Sequence, residues 1–307
     1  MQPLIIVEQL LNGVQLGVTL FLLAAGLTLV LGIMNLINLA HASMYMVGAY
    51  LSATVYLWSG SFLFGVVAAL TGALLLGVLI ELVVFRALYQ RTPLDQVLAT
   101  FAVLLICNET VRIVWGPGAL NAPLPPFLSG QVEILPGAPY PVIRLAIVAV
   151  GLFAAVLLYL LISRTRLGML IRAGASNRVM IGALGVNIKL LYTAVFGLGA
   201  VLAALSGVMS GPISSVEPGM GDKILILCLV VIVIGGIGSV RGAFIGALLI
   251  GIVDTCGRVF LSPLLFWLMP GAGAKTAGPA IATMLIYMTM ALVLFFRPRG
   301  LFPPRLR

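Results

Sequence analysis

At 307 residues the chain is 62% hydrophobic and 8% charged, and its 17 Lys and Arg outnumber 8 Asp and Glu for a net charge of +9. Soluble domains carry about 25% charged residues, so a water-facing globular surface is excluded and the surroundings of this chain are mostly lipid. A soluble nucleic-acid binder is excluded too, because the basic residues sit mainly between apolar runs, where they act as topology signals rather than as a phosphate-binding patch.

The chain opens on Met1, Gln2, Pro3 and Leu4, without a basic segment, and its first apolar run is too long for a cleaved signal, so it reads as a retained helix. Spanning a bilayer takes roughly 20 apolar residues. Runs of that kind lie near 7–33, 36–57, 62–85, 96–115, 143–163, 190–210, 222–238, 242–262 and 277–296. The expectation is an all-α polytopic transmembrane bundle of eight to ten membrane helices, with nine the best count. No polar stretch is long enough to fold separately, so residues 1–307 read as a single transmembrane domain.

Asn35, Asn38, His41 and Ser43, followed by Tyr45, form a polar interruption between two apolar runs, the last three of the four lying within the second. In lipid such groups need partners or a wet cavity. Two readings stand: a helix end at the cytoplasmic interface capped by Asn and Ser, or a gate in a broken helix that belongs to a translocation path. Further along, Glu81 precedes Arg86 by five residues and is expected to snorkel toward the cytoplasmic interface. Glu109 and Arg112 are three apart, Asp254 and Arg258 four apart, and both spacings place the partners on one helix face as intramembrane charge pairs. Gly197, Gly199, Ala203, Ala204, Gly207 and Gly211 line one run and permit close helix contact.

Basic residues orient the chain. Arg86 and Arg91, then Arg164, Arg166, Arg172, Arg178 and Lys189, then Arg297, Arg299, Arg305 and Arg307 mark three cytoplasmic segments. The connection 116–141 has no Lys or Arg and carries seven prolines, which exclude helix; it is expected outside, as an ordered loop or a docking surface, with a short strand at Gln131–Leu135. Counting back, the N-terminus falls outside. The connection 164–189 places Leu170, Ala173, Val179, Ala183 and Leu184 on one apolar face of a short helix, with Thr165, Ser176 and Asn177 as N-cap candidates. Such a helix lies in the headgroup region or slots into a groove on a soluble partner.

No catalytic set is visible. His41 is the sole histidine, Cys107, Cys228 and Cys256 lack metal-ligand spacing, and there is no GxxxxGK[ST] loop, GxSxG elbow or HExxH pair. No metal site and no cofactor bound by this chain are expected. The glycines at 235, 236 and 238 lack the βαβ context of a dinucleotide loop and suit a tight turn between two helices.

Four stretches carry a resemblance to a known family. They are GLTLVLGIMNLINLAH from Gly26 to His41 with YMVGAY from Tyr45 to Tyr50; RLGMLIRA from Arg166 to Ala173 with GVN at 185–187; VIVIGGIGSVRGAFIG from Val231 to Gly246; and RPRGLF from Arg297 to Phe302. In this order the chain resembles the branched-chain amino-acid (Liv-type) permeases of ATP-binding-cassette importers, in particular the shorter of the two permease subunits. The resemblance implies a single permease domain in the bacterial inner membrane that is not itself an enzyme. It implies a heterodimer with a second permease, two ATPase subunits that use ATP and Mg, and a periplasmic solute-binding protein. It makes 164–189 the coupling loop, with Arg166, Gly168, Arg172, Ala173, Asn177 and Gly182 as candidate contacts to the ATPase. The implied solute is a branched-chain amino acid or a similar small molecule such as an amide, urea or a small aromatic acid. Where the family pattern has His-Gly and an acid, this chain has His41, Ala42 and Ser43, which puts the solute class in question. The competing reading is a self-sufficient ion-coupled secondary transporter, motivated by Glu109 and Asp254; no clear inverted repeat supports it.

Overall fold

A computed structural model describes residues 3–135, 138–268 and 272–302. Pro136 of the proline-rich connection and Arg305 and Arg307 of the basic tail lie outside the described residues. The chain is predominantly helical. In order it forms α1 (Pro3–Met34), α2 (His41–Ser59), α3 (Phe62–Ile80), a π-helical turn (Glu81–Phe85), α4 (Arg86–Leu88) and α5 (Pro93–Trp115). A β1–β2 hairpin (Gln131–Leu135, Ala138–Pro141) leads into α6 (Val142–Arg164), α7 (Arg166–Ser176), α8 (Arg178–Ala183) and α9 (Ile188–Ser210). The chain closes with α10 (Met220–Gly235), α11 (Val240–Leu268) and α12 (Ala272–Phe296). The strand expected at Gln131–Leu135 forms, paired antiparallel with β2.

Among the described residues, six helices are long and apolar enough to cross a bilayer: Leu4–Met34, Phe62–Leu88, Pro93–Trp115, Val142–Arg164, Ile188–Ser210 and Val240–Leu261. The protein is therefore a multi-pass membrane protein. Three of the nine expected runs fall short of that measure, the last of them as Ala280–Phe296, a shorter apolar helix, and the other two for visible reasons. α10 has only 16 residues, and α2 begins at His41 rather than at 36 and carries Ser43, Ser52 and Thr54.

α1 is the axis of the bundle. Leu20, Phe21, Leu22, Leu23, Ala24, Ala25 and Leu27 are all buried. These nearly consecutive positions turn through every face of a helix with 3.6 residues per turn, so α1 shows lipid no face here. It packs against α11, α9, α6 and α10. Phe21 sets its ring edge-on to Phe244 of α11, centroids 5.0 Å apart. α3, α5 and α6 form the periphery, where Leu75, Ile106 and Phe153 stay exposed, as suits side chains facing lipid. Small residues bring the inner helices to backbone contact: a Cβ on Gly48 of α2 would lie 2.6 Å from Ala204 Cα of α9.

Where α10 meets the tail, two of the motif stretches prove to be one joint. α10 stops at the glycines, with φ of 102° at Gly236 and 82° at Gly238, conformations that side chains rarely adopt. The orphan carbonyls at the end of α10 are then satisfied by the tail: Leu301 N–H donates to Ile234 O at 2.8 Å and Phe302 N–H to Gly235 O at 3.0 Å. The expectation for Glu81 is corrected. Its side chain is fully buried rather than snorkelling, because it has found internal donors in Tyr89 and Thr193.

Candidate functional site

The polar interruption after α1 is a break inside the bundle. α1 ends at Met34, and Asn35, at φ 51°, closes it in the left-handed region, its N–H donating to Leu31 O at 3.0 Å. Residues 36–40 form no helix, and α2 starts at His41. His41 Nε2 lies 3.2 Å from the carbonyl of Leu23. Leu23 precedes the end of α1 by eleven residues, about 16 Å of helix. The segment 35–40 therefore runs back along α1, and α2 begins deep in the bundle instead of at its edge.

The break is held from three sides. The His41 ring is wedged between α1 and α9: a Cβ on Gly26 would meet it at 2.9 Å and one on Gly199 at 3.3 Å, so both positions stay bare. Thr100 of α5 sets its hydroxyl 3.4 Å from the Ile37 carbonyl. Gly221 of α10 lies against the carbonyl of Ala42. Within this frame Asn38 is fully buried, and neither its Oδ1 nor its Nδ2 has a hydrogen-bond partner. Thr28 Oγ1 of α1 and the Tyr50 hydroxyl of α2 are also buried and unpartnered. Ser43 Oγ is likewise buried and unpartnered, and Tyr45 is buried in the first turns of α2. An orphaned buried polar group costs about 1–3 kcal/mol, so such an amide signals a use beyond packing.

Near the connection 116–141, α5 and α10 carry a polar face that sequence reasoning missed in part. Asn108 of α5 donates to Asp222 Oδ2 in the first turn of α10 at 3.1 Å. Glu217 and Lys223 pair at 2.5 Å, and Glu109 and Arg112 at 2.9 Å with both side chains more than half exposed. The signal was there in Asn108 beside Glu109, and in Asp222 beside Lys223 at the threshold of an apolar run. Trp115 Nε1 donates to Thr54 at 2.7 Å and ties α5 to α2 at that end. Asp254 and Arg258 form the expected pair at 2.7 Å, within α11.

The connection 164–189 folds as two short helices, not one. Thr165 Oγ1 accepts from Gly168 N–H at 3.0 Å and starts α7; Asn177 Oδ1 accepts from Met180 N–H at 3.0 Å and starts α8. Asn177 at φ −152° is extended, which ends one helix and caps the next. The expected apolar face is corrected accordingly: Gly168, Ile171, Gly174 and Ile181 are buried, whereas Val179 and Leu184 are exposed along with Met169 and Met180. Gly168 packs on the last carbonyls of α6, where a side chain would overlap them. Arg166, Arg172 and Gly182 are exposed and Ala173 is half-buried. Replacing Asn177 with alanine removes one cap, worth about 1 kcal/mol. Amide hydrogen exchange should then quicken in α8 and stay unchanged in α7.

Among the described residues no group of three or more His, Cys, Asp or Glu is placed to hold a metal ion. Residues 9–296 match the family model described as branched-chain amino acid transport system / permease component. The chain is 29% identical to the high-affinity branched-chain amino acid transport system permease protein BraD of Pseudomonas aeruginosa, over 96% of this chain and 94% of that protein. It is 30% identical to the permease protein LivH of the corresponding system in Escherichia coli K12, over 85% of this chain and 89% of that protein. A probable branched-chain amino acid transport permease protein LivH of Methanocaldococcus jannaschii is 26% identical over 89% of this chain and 86% of its own length. No solved structure matches.

Proposed function

Because the chain belongs to the branched-chain amino acid transport permease family, we propose that it is the membrane-spanning permease subunit of an ATP-binding-cassette importer, contributing half of a path for a branched-chain amino acid or a similar small solute. The carrying observation is the break at 35–40, which leaves the Asn38 amide buried and unpartnered between α1 and α2. Discontinuous helices with polar groups at membrane depth are how transport proteins hold solutes that lipid rejects. Asn35, Asn38, His41, Ser43 and Tyr45 line the candidate path or gate. The polar face of α5 and α10 extends the path outward, since half-exposed ion pairs are poorly matched to lipid tails.

α7 and α8 serve as the coupling element. Their exposed Met169, Val179, Met180 and Leu184, with Arg166, Arg172 and Arg178 nearby, suit an apolar groove with acidic edges on an ATPase subunit. The scheme has nine crossings in a single domain over 1–307, the N-terminus outside and the coupling loop in the cytoplasm. It pairs the chain with a second permease, two ATPases that consume ATP and Mg, and a periplasmic binding protein at the inner membrane. Departure from the family pattern at Ala42 and Ser43 leaves amides, urea and small aromatic acids beside amino acids as solutes.

The test is reconstitution. Liposomes holding the purified chain alone should take up no radiolabelled leucine under a proton or sodium gradient. Liposomes holding the full complex, with binding protein outside and ATP inside, should accumulate solute. Gradient-driven uptake by the chain alone would overturn the assignment and favour an ion-coupled transporter.

A further inference from the structure

The one buried carboxylate at the cytoplasmic end of α3 has no part in the path described above. Glu81 is fully buried, yet both its oxygens are engaged. Tyr89 donates to Oε1, and Thr193 Oγ1 lies 2.6 Å from Oε2. Arg86 Nε stands 3.6 Å from Oε1, and its guanidinium reaches Thr193 Oγ1 at 3.4 Å. Burial, and after it the hydrogen bond to Glu81, raises the Tyr89 pKa above its ordinary value, which keeps the phenol a donor.

The position of Thr193 gives this cluster its meaning. Thr193 lies in the second turn of α9, the helix that leaves the coupling loop, and its hydroxyl is 3.0 Å from the Lys189 carbonyl in the first turn. Two aromatic pairs bolt the same elements together: Phe85 with Phe196 and Tyr89 with Tyr192, each with centroids 5.0 Å apart. At this level α3 widens into a π-turn, with Arg86 N–H donating to Glu81 O, an irregularity concentrated at functional sites. Packing alone would be served as well by an apolar side chain, because ion pairs in low dielectric repay their desolvation only when fully bonded. α3 in turn packs along α2, the helix that starts at the break.

We infer that Glu81 is a positioning residue that fastens the exit of the coupling loop to α3, so that α7, α9, α3 and α2 move as one body and carry displacement at the ATPase to the break. This rests on the importer reading. α12 packs on α11 and α10 and stands outside that body.

The experiment uses the complex with its ATPases in lipid nanodiscs, in a background without the three native cysteines. Spin-label pairs join Ala175 of α7 to Leu79 of α3 and Ala175 to Met288 of α12; all three positions are exposed. With the intact joint, trapping with ATP and vanadate should leave the 175–79 distance unchanged and shift the 175–288 distance. In Tyr89→Phe combined with Thr193→Val, which strips the carboxylate of two donors, the 175–79 distance should change on trapping while ATP hydrolysis persists. Glu81→Gln, which keeps an acceptor, should fall between. A 175–79 distance that shifts in the intact protein, or stays fixed in the double variant, overturns the inference. An intact complex that neither hydrolyses ATP nor shifts the 175–288 distance overturns the importer reading itself and the inference with it. A uniform fall in thermal midpoint without loss of rigidity would mark Glu81 as structural only and also overturn it.

Discussion

Gly207→Val is expected to abolish assembly of the bundle. Gly207 lies on α9 where α2 crosses it, and a Cβ there would stand 2.9 Å from Tyr45 C and 3.2 Å from Ala49 N, overlapping the Tyr45 carbonyl oxygen as well. These are backbone atoms in the middle of a helix, so no rotamer change relieves the clash. Across the same crossing Gly48 meets Ala204 in the same way, which removes the option of sliding the helices. Lifting α2 would also pull His41 from the Leu23 carbonyl and from its seat between Gly26 and Gly199. Ordinary overpacking costs about 1–3 kcal/mol, and forced separation of two main chains exceeds it. Against a total stability on the order of 5–15 kcal/mol, little folded protein should remain. Gly118→Val is the comparison, because a Cβ there meets nothing within 4 Å. Full-length protein recovered from membranes should be normal for Gly118→Val and nearly absent for Gly207→Val; equal recovery would refute the backbone-contact account.

The small-residue stripe was readable in the sequence because Gly197, Gly199, Ala203, Ala204 and Gly207 recur at helical spacing, and packing through small residues is the general solution for helices in lipid. The charge pairs were readable too, since three- and four-residue spacing fixes a shared face, and both pairs form. Depth was not readable. Nothing local in Asn35, Asn38 and His41 says that the chain doubles back along α1; that depends on glycines at 26 and 199, far away in sequence, leaving space for an imidazole. Glu81 failed for the same reason. A lone acid near an arginine looks like a group seeking water, and only the fold brings Thr193 to it across more than a hundred residues. The single amphipathic helix expected at 164–189 failed more locally: Asn177 prefers to cap, and capping in extended backbone splits the helix.

Asn38→Leu should make the protein more stable and leave it unable to transport. In a structural role, a buried amide is kept because its hydrogen bonds offset desolvation, and its loss destabilises. Asn38 has no such bonds: both polar atoms are unpartnered and the residue is fully buried. Leucine keeps the same branching at Cγ and removes both orphaned polar atoms, which lifts a penalty of about 1–3 kcal/mol, so the thermal midpoint should rise. Thr28→Val, which deletes one orphaned hydroxyl at nearly constant shape, calibrates the gain. Uptake by the complex should collapse in Asn38→Leu, because a path lined by a branched hydrocarbon offers a polar solute nothing in exchange for water. Opposite signs for stability and transport are the mark of a group held at thermodynamic cost for function. A parallel fall in both would assign Asn38 to the architecture of the break and move the path elsewhere, with the α5–α10 face as the remaining polar route.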